Sequence, residues 1–163
     1  MRHILSLLVE NEAGALSRIS GLFSARAFNI ESLSVAPTED ESVSRMTIVT
    51  SGSDQIVEQI TKQVNKLVDV IKVKDLSESG HIERELMLMK IDASKVNRQT
   101  LESIISNFEG KIIDESESIF TIECINNSEK LDQFIQQIDI HWIVEVVRSG
   151  VLGIALGASA LRV

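Results

Sequence analysis

One order of elements occurs twice along the 163-residue chain, and it limits the fold more than any other feature. Arg2 to Val9 is a continuous aliphatic run, which predicts a buried strand. After the break Glu10-Asn11-Glu12-Ala13-Gly14, Leu16, Ile19, Phe23 and Ala27 recur at the spacing of one helix face. Asn29 stands at the expected helix end, where asparagine tolerates left-handed geometry. Ile30 to Ala36 and Ser42 to Thr50 flank the turn-forming Pro37-Thr38-Glu39-Asp40 and read as a hairpin. Ser53 is a suitable N-cap for a second helix with a stripe of Ile56, Ile60, Val64 and Leu67. Asp69 to Asp75 then alternates apolar and basic residues and closes a first unit near Leu76.

The polar, small-residue stretch Ser77-Glu78-Ser79-Gly80 reads as a boundary, and the order then repeats. Ile82 to Asp92 is a strand, Leu101, Ile104, Ile105 and Phe108 mark a helix, and Gly110 stands at its stop. Lys111 to Glu115 and Ile119 to Ile125 pair as a hairpin. Leu131, Phe134, Ile135 and Ile138 mark the next helix, and Ile143 to Val147 the last strand. The expected fold is α+β, with two tandem ferredoxin-like βαββαβ domains at residues 1–76 and 82–163 joined by a linker at 77–81. Helices cover one face of each sheet. In domains this small a second copy is the natural cover for the other face, so a homodimer is expected.

Composition narrows the function. The net charge of −8 opposes binding to phosphate backbones, and no dense Lys/Arg cluster offsets it, so no nucleic-acid partner is expected. The single cysteine, Cys124, shares a strand face with Phe120 and Ile122; it reads as a small buried hydrophobe of a reducing, cytoplasmic setting. The longest uncharged run, residues 149–161, is too short to span a bilayer and carries three glycines, so no membrane association is expected. The N-terminus lacks the features of a secretory signal.

No catalytic constellation stands out. His3, His81 and His141 lack metal-ligand spacing and read as surface or edge residues, so no metal site is expected. Gly150, Gly153 and Gly157 match neither a P-loop nor a dinucleotide fingerprint, and no serine sits in a nucleophile elbow. Glu83 and Glu85 alternate with apolar residues and read as a solvated strand face.

The loop between the first strand and first helix is different. A free amino acid needs N–H donors for its carboxylate, and an open helix N-terminus supplies them with a favourable dipole. Asn11 offers an amide oxygen to the ammonium, and Leu16 and Ile30 are suitable apolar walls. Glycine at position 14 removes the Cβ that would block approach. The same residues would also serve as a plain strand-to-helix turn, and spacing alone does not separate the two readings.

Longer segments resemble a known family. Arg2-His3-Ile4-Leu5-Ser6, Asn11-Glu12-Ala13-Gly14-Ala15-Leu16-Ser17-Arg18 and Phe28-Asn29-Ile30-Glu31-Ser32-Leu33 resemble the ACT domain of the acetohydroxyacid (acetolactate) synthase small subunits. Glu83-Arg84-Glu85-Leu86-Met87-Leu88, Gly110-Lys111-Ile112-Ile113-Asp114 and Ile143-Val144-Glu145-Val146-Val147-Arg148-Ser149-Gly150 continue the resemblance in order. It implies that the first domain is an ACT domain and that the chain is a non-catalytic regulatory subunit without catalytic residues or cofactors of its own. The implied partner is the large catalytic subunit, which carries thiamine diphosphate, FAD and magnesium. The implied role is activation of that subunit and feedback inhibition by valine in branched-chain amino acid biosynthesis. Valine would sit between the ACT domains of a homodimer, held by Asn11, Gly14, Ala15 and Leu16 of one chain with Asn29 and Ile30 of the other. A free-standing ACT sensor for another enzyme is the alternative reading. The chain departs from the family near its end: Leu156 stands where relatives often place arginine before the glycine, and residues 158–163 are unusually apolar.

Overall fold

The computed structural model describes residues 1–163. The elements are β1 (Arg2–Glu10), α1 (Ala15–Ala25), β2 (Ser32–Pro37), β3 (Val43–Ser51), α2 (Asp54–Val64) and β4 (Val70–Asp75), then β5 (His81–Asp92), a 3-10 turn (Ala93–Lys95), α3 (Arg98–Asn107), β6 (Lys111–Ser116), β7 (Ile119–Asn126), α4 (Ser128–Gln137), β8 (Ile143–Arg148) and β9 (Leu152–Ala155). The order βαββαβ therefore occurs twice in an α+β fold, as two ferredoxin-like domains.

In the first unit the antiparallel sheet runs β2-β3-β1-β4. Alternation along β1 sends Leu5, Leu7 and Val9 to the helical side, where they pack with Met46, Ile48, Ile19, Phe23, Val57, Ile60 and Val64. The α1 stripe that meets them is Ala15, Ile19 and Phe23, whereas Leu16 faces outward and is 44% exposed. The second unit repeats the plan, with path β6-β7-β5-β8. Its aliphatic core is built on Met87, Met89, Ile91, Leu101, Ile105, Ile122, Leu131 and Phe134. Cys124 belongs to this core; its thiol donates to the Phe108 carbonyl at 3.2 Å, and burial, then Glu109, pushes its pKa up.

The division of the chain differs from the expected boundaries at the C-terminal end. One compact unit is Met1–Ile82 together with Val151–Val163, and the other is Glu83–Gly150. Residues 151–163 cover the sheet face that the first unit's helices leave open. Val151 is buried with Ile4, Val49 and Leu76, and its N–H donates to Ser32 Oγ at 3.0 Å. Gly153 is required by closeness: a Cβ there would stand 2.7 Å from Leu76 Cδ1 and 3.3 Å from Ile4 Cγ2. The tail then takes hydrogen bonds from Arg45 to the Leu161 carbonyl (3.4 Å), Lys72 to the Arg162 carbonyl (3.0 Å) and Lys74 to Ser159 Oγ (2.7 Å). Cover by a second copy is thus not needed on this face, because the chain returns to cover it.

Four local expectations are corrected. The left-handed residues at the two helix ends are Ala27 (φ 55°) and Glu109 (φ 58°), not Asn29 and Gly110. Gly110 answers to space instead, since a Cβ would lie 3.0 Å from Ile105 Cγ2 and 3.3 Å from the Glu123 carbonyl. His3 is buried at 6% exposure, with Nδ1 2.9 Å from Asp75 Oδ2. Glu85 is likewise buried. It shares the phase of Met87 and Met89 on the core side of β5, where Arg148 donates to both its oxygens at 3.0 and 2.7 Å.

Candidate functional site

The C-terminal end of β1 gathers the loop of interest. Glu10 N–H donates to the Asp69 carbonyl (2.8 Å) and Asn11 N–H to the Ser42 carbonyl (2.7 Å), so the loop leaves a fixed point between β3 and β4. Asn11 Nδ2 donates to the Glu41 carbonyl at 2.8 Å, which leaves Oδ1 as the open acceptor of that amide. Gly14 is the N-cap of α1 at φ 90°, a left-handed conformation that side chains oppose.

No side chain caps α1, whereas the other three helices are capped by Ser53, Asn97 and Asn127. Ala15 N–H reaches the Glu12 carbonyl at 3.2 Å. Helix geometry leaves the N–H groups of Leu16 and Ser17 without an intrahelical acceptor. These donors and the positive end of the dipole suit a carboxylate.

Sequence reasoning missed Arg18 and Asp69. Arg18 lies one turn beyond Gly14, and its Nη1 stands 2.9 Å from where a Gly14 Cβ would be. Its Nε and Nη2 donate to Asp69 at 2.6 and 2.5 Å, a bidentate pair that leaves Nη1 on the Gly14 side. The hydrogen bond raises the Arg18 pKa and lowers that of Asp69, so both stay charged. A fixed cation therefore flanks the open helix end. The i, i+4 relation of Gly14 and Arg18 was the signal available in the sequence.

The six expected residues do not meet within one chain. Asn11, Gly14, Ala15 and Leu16 cluster at the end where Glu10 pairs with Val43. Asn29 and Ile30 lie at the opposite end: the Asn29 carbonyl accepts from Thr50 Oγ1 at 2.6 Å, and Thr50 pairs with His3. Seven residues of strand separate the two ends, about 24 Å at ~3.4 Å per residue. Ala15 is buried on the inner face of α1, Ile30 packs against the first core, and Asn11, Leu16 and Asn29 are exposed. A ligand touching both groups needs two chains.

Comparison with known proteins bears on the whole length. Residues 5–72 match the family model described as AHAS small subunit-like ACT domain, and residues 84–157 match that of the small subunit of acetolactate synthase. The chain is 52% identical to the acetolactate synthase isozyme 3 small subunit of Escherichia coli (strain K12), over 99% of this chain and 100% of that one. It is 50% identical to the Salmonella typhimurium isozyme 3 small subunit at the same coverage. A crystal structure of the acetolactate synthase small subunit from Thermotoga maritima has a TM-score of 0.86 at 34% identity, covering 94% of this chain and 96% of that chain. On this ordered, full-length similarity, the chain belongs to the acetolactate synthase small-subunit family, and its first domain is an ACT domain.

Proposed function

We propose that this chain is the regulatory, non-catalytic subunit of an acetolactate synthase, and that valine acts on it at the α1 N-terminus to inhibit branched-chain amino acid synthesis. The observation that carries the reading is the uncapped start of α1 at left-handed Gly14, beside a guanidinium. The valine carboxylate accepts from the Leu16 and Ser17 N–H groups and faces Arg18 Nη1; the ammonium donates to Asn11 Oδ1. Leu16, exposed on α1, supplies an apolar wall.

Asn29 and Ile30 of the partner subunit complete the site in a homodimer. Sheet order supports the pairing. β2 is an edge strand, and its end at Pro37 pairs with Ser44, beside Val43 and the Glu10–Asn11 corner. Antiparallel union of two β2 edges about a two-fold axis sets the start of one strand beside the end of the other. That brings Asn29–Ile30 of one copy to the loop at Gly14 of its neighbour.

The chain activates a large, cytoplasmic catalytic subunit that carries thiamine diphosphate, FAD and magnesium; none of these is assigned to this chain. No helix here is long and apolar enough to cross a membrane. Valine binding and catalytic-subunit binding are linked, so each must change the affinity of the other by the same factor. Gly14→Asp tests the placement. An aspartate strains the left-handed backbone, pairs with Arg18 and occupies the carboxylate position. The variant is expected to activate the catalytic subunit normally but to lose valine inhibition by about a hundredfold in effective concentration, near 3 kcal/mol. Retained valine sensitivity would refute the site.

A further inference from the structure

The first unit's outer sheet face holds cations that form no ion pair, Arg45, Lys72 and Lys74 all bonding to neutral oxygens. In a chain where 24 acidic residues outnumber 16 basic ones, buried or structured arginines find acids readily. Arg18 has Asp69, Arg98 has Glu102 and Glu115, and Arg148 has Glu85 and Asp132. Their carboxylates raise all three pKa values. Arg45 is the opposite case. It is partly buried, desolvation alone pulls its pKa down, and its bonds go to neutral oxygens: Ser6 Oγ at 2.6 Å and the Leu161 carbonyl at 3.4 Å. Leaving a guanidinium desolvated and unneutralised is costly, and an anion relieves it.

Arg45 opens onto a groove of about 760 Å³ between the sheet and the returning tail. Leu8, Val43, Leu152, Ile154 and Leu161 give it apolar walls, and Arg162 adds a second cation. Lys72 and Lys74 lie on the same face, opposite Leu8 and Ser6 in register, with their ammonium groups bonded to neutral tail oxygens. At the hairpin end the lining is acidic. Asp40 is kept ionised by the Ser42 hydroxyl and N–H, and Glu39 is beside it. A second carboxylate on the ligand would be repelled there.

We infer that this groove is a binding site for a monocarboxylate with a short branched or linear apolar chain. The carboxylate pairs with Arg45, and the hydrocarbon lies against Leu8, Val43 and Ile154. The site is separate from the Gly14 loop, and its existence does not depend on the reading given for that loop. Such a ligand either carries an α-ammonium or lacks one; both kinds share the carboxylate that pairs with Arg45.

The test is a heteronuclear NMR titration of the full chain with isovalerate and, separately, with valine, following the Arg45 Nε–H and the amides of Leu8, Val43 and Ile154. Saturable shifts of this group with isovalerate are expected. Shifts with isovalerate alone identify amino-free acids as the class, and shifts of the same group with valine as well extend it to amino acids. Arg45→Met should weaken isovalerate binding at least about tenfold. Ile154→Trp, at an exposed position that fills the groove while keeping Arg45, should do the same without disturbing the fold. Gly14→Asp should leave isovalerate binding unchanged, which separates this site from the valine loop. Absence of saturable shifts at Arg45 with either acid, or binding indifferent to both groove substitutions, would overturn the inference.

Discussion

The helices α1 and α3 occupy the same place in their two domains, directly after the first strand, yet their N-termini are finished in different ways. Asn97 closes α3 by accepting from the N–H groups of Gln99 and Thr100 at 2.9 and 3.3 Å. Gly14 closes nothing on α1. The outer sheet faces differ as well. In the first unit Ile4, Ser6, Leu8 and Thr47 are buried under the returning tail. In the second, Ile125 and Val147, which pair with Leu86 and Leu88 on the outer side of β5, are 51% and 53% exposed. One fold is thus used in two manners. The second domain caps its first helix with a side chain, while the first keeps that helix end open and uses a C-terminal segment to cover its sheet.

The contrast can be broken by substitution, and the largest effect is expected where the tail lies closest. Gly153→Val places side-chain atoms where Leu76 already stands, and should cost about 3 kcal/mol through overpacking and release of the tail. Thermal denaturation reads the loss, and proteolysis near residue 151 should accelerate. In the second domain Arg148→Met leaves Glu85 buried without its cation; a cost of about 2 kcal/mol is expected, lessened because Arg148 is itself partly exposed. Denaturant unfolding checks it, and Glu85→Gln added to that variant should recover part of the loss. Asn97→Ala uncaps α3 and should cost about 1 kcal/mol by the same measurement. It should create no affinity for valine, since α3 lacks a left-handed glycine and all three guanidinium nitrogens of its first residue, Arg98, are taken by Glu102 and Glu115.

The smallest effect expected is on the acid side. Arg18 lowers the Asp69 pKa from its ordinary 3.8, so the folded state binds that proton less readily than the unfolded chain. The stability this gives is complete above about pH 4 to 5 and is lost as pH falls below 3.8 through the lower folded value. Stability against pH for Asp69→Asn should show a shallower fall on the acid limb than the parent chain.

Much of this architecture was legible from periodicity. Strand alternation and helix spacing located every strand and α-helix except β9, and Ser53 was readable as a cap because it precedes an amphipathic run. Glu85 was also legible in principle, since it shares the phase of Met87 and Met89; only the assumption that a glutamate faces water misplaced it. The tail was not legible. Its partners Ile4, Thr47 and Leu76 lie far away in sequence, and an uncharged run with three glycines carries no periodic signal for what it will cover. Leu16 shows a different limit: it fits a helical apolar spacing, but Ala15, Ile19 and Phe23 form the stripe that turns inward. The six expected site residues were named from loop chemistry and family resemblance, and their separation into two groups became visible only with strand register.

That separation permits a direct test of a site shared between chains. Chains bearing Gly14→Asp and chains bearing Asn29→Ala would be tagged differently, assembled into purified mixed dimers and titrated with valine by calorimetry. Each parent dimer carries a defect in both of its sites, whereas the mixed dimer contains one intact site, built from an unaltered Gly14 loop and an unaltered Asn29. The mixed dimer is expected to regain valine binding at one molecule per dimer with the affinity of the unaltered protein. Failure of the mixed dimer to bind valine, when unaltered dimers do, would contradict it.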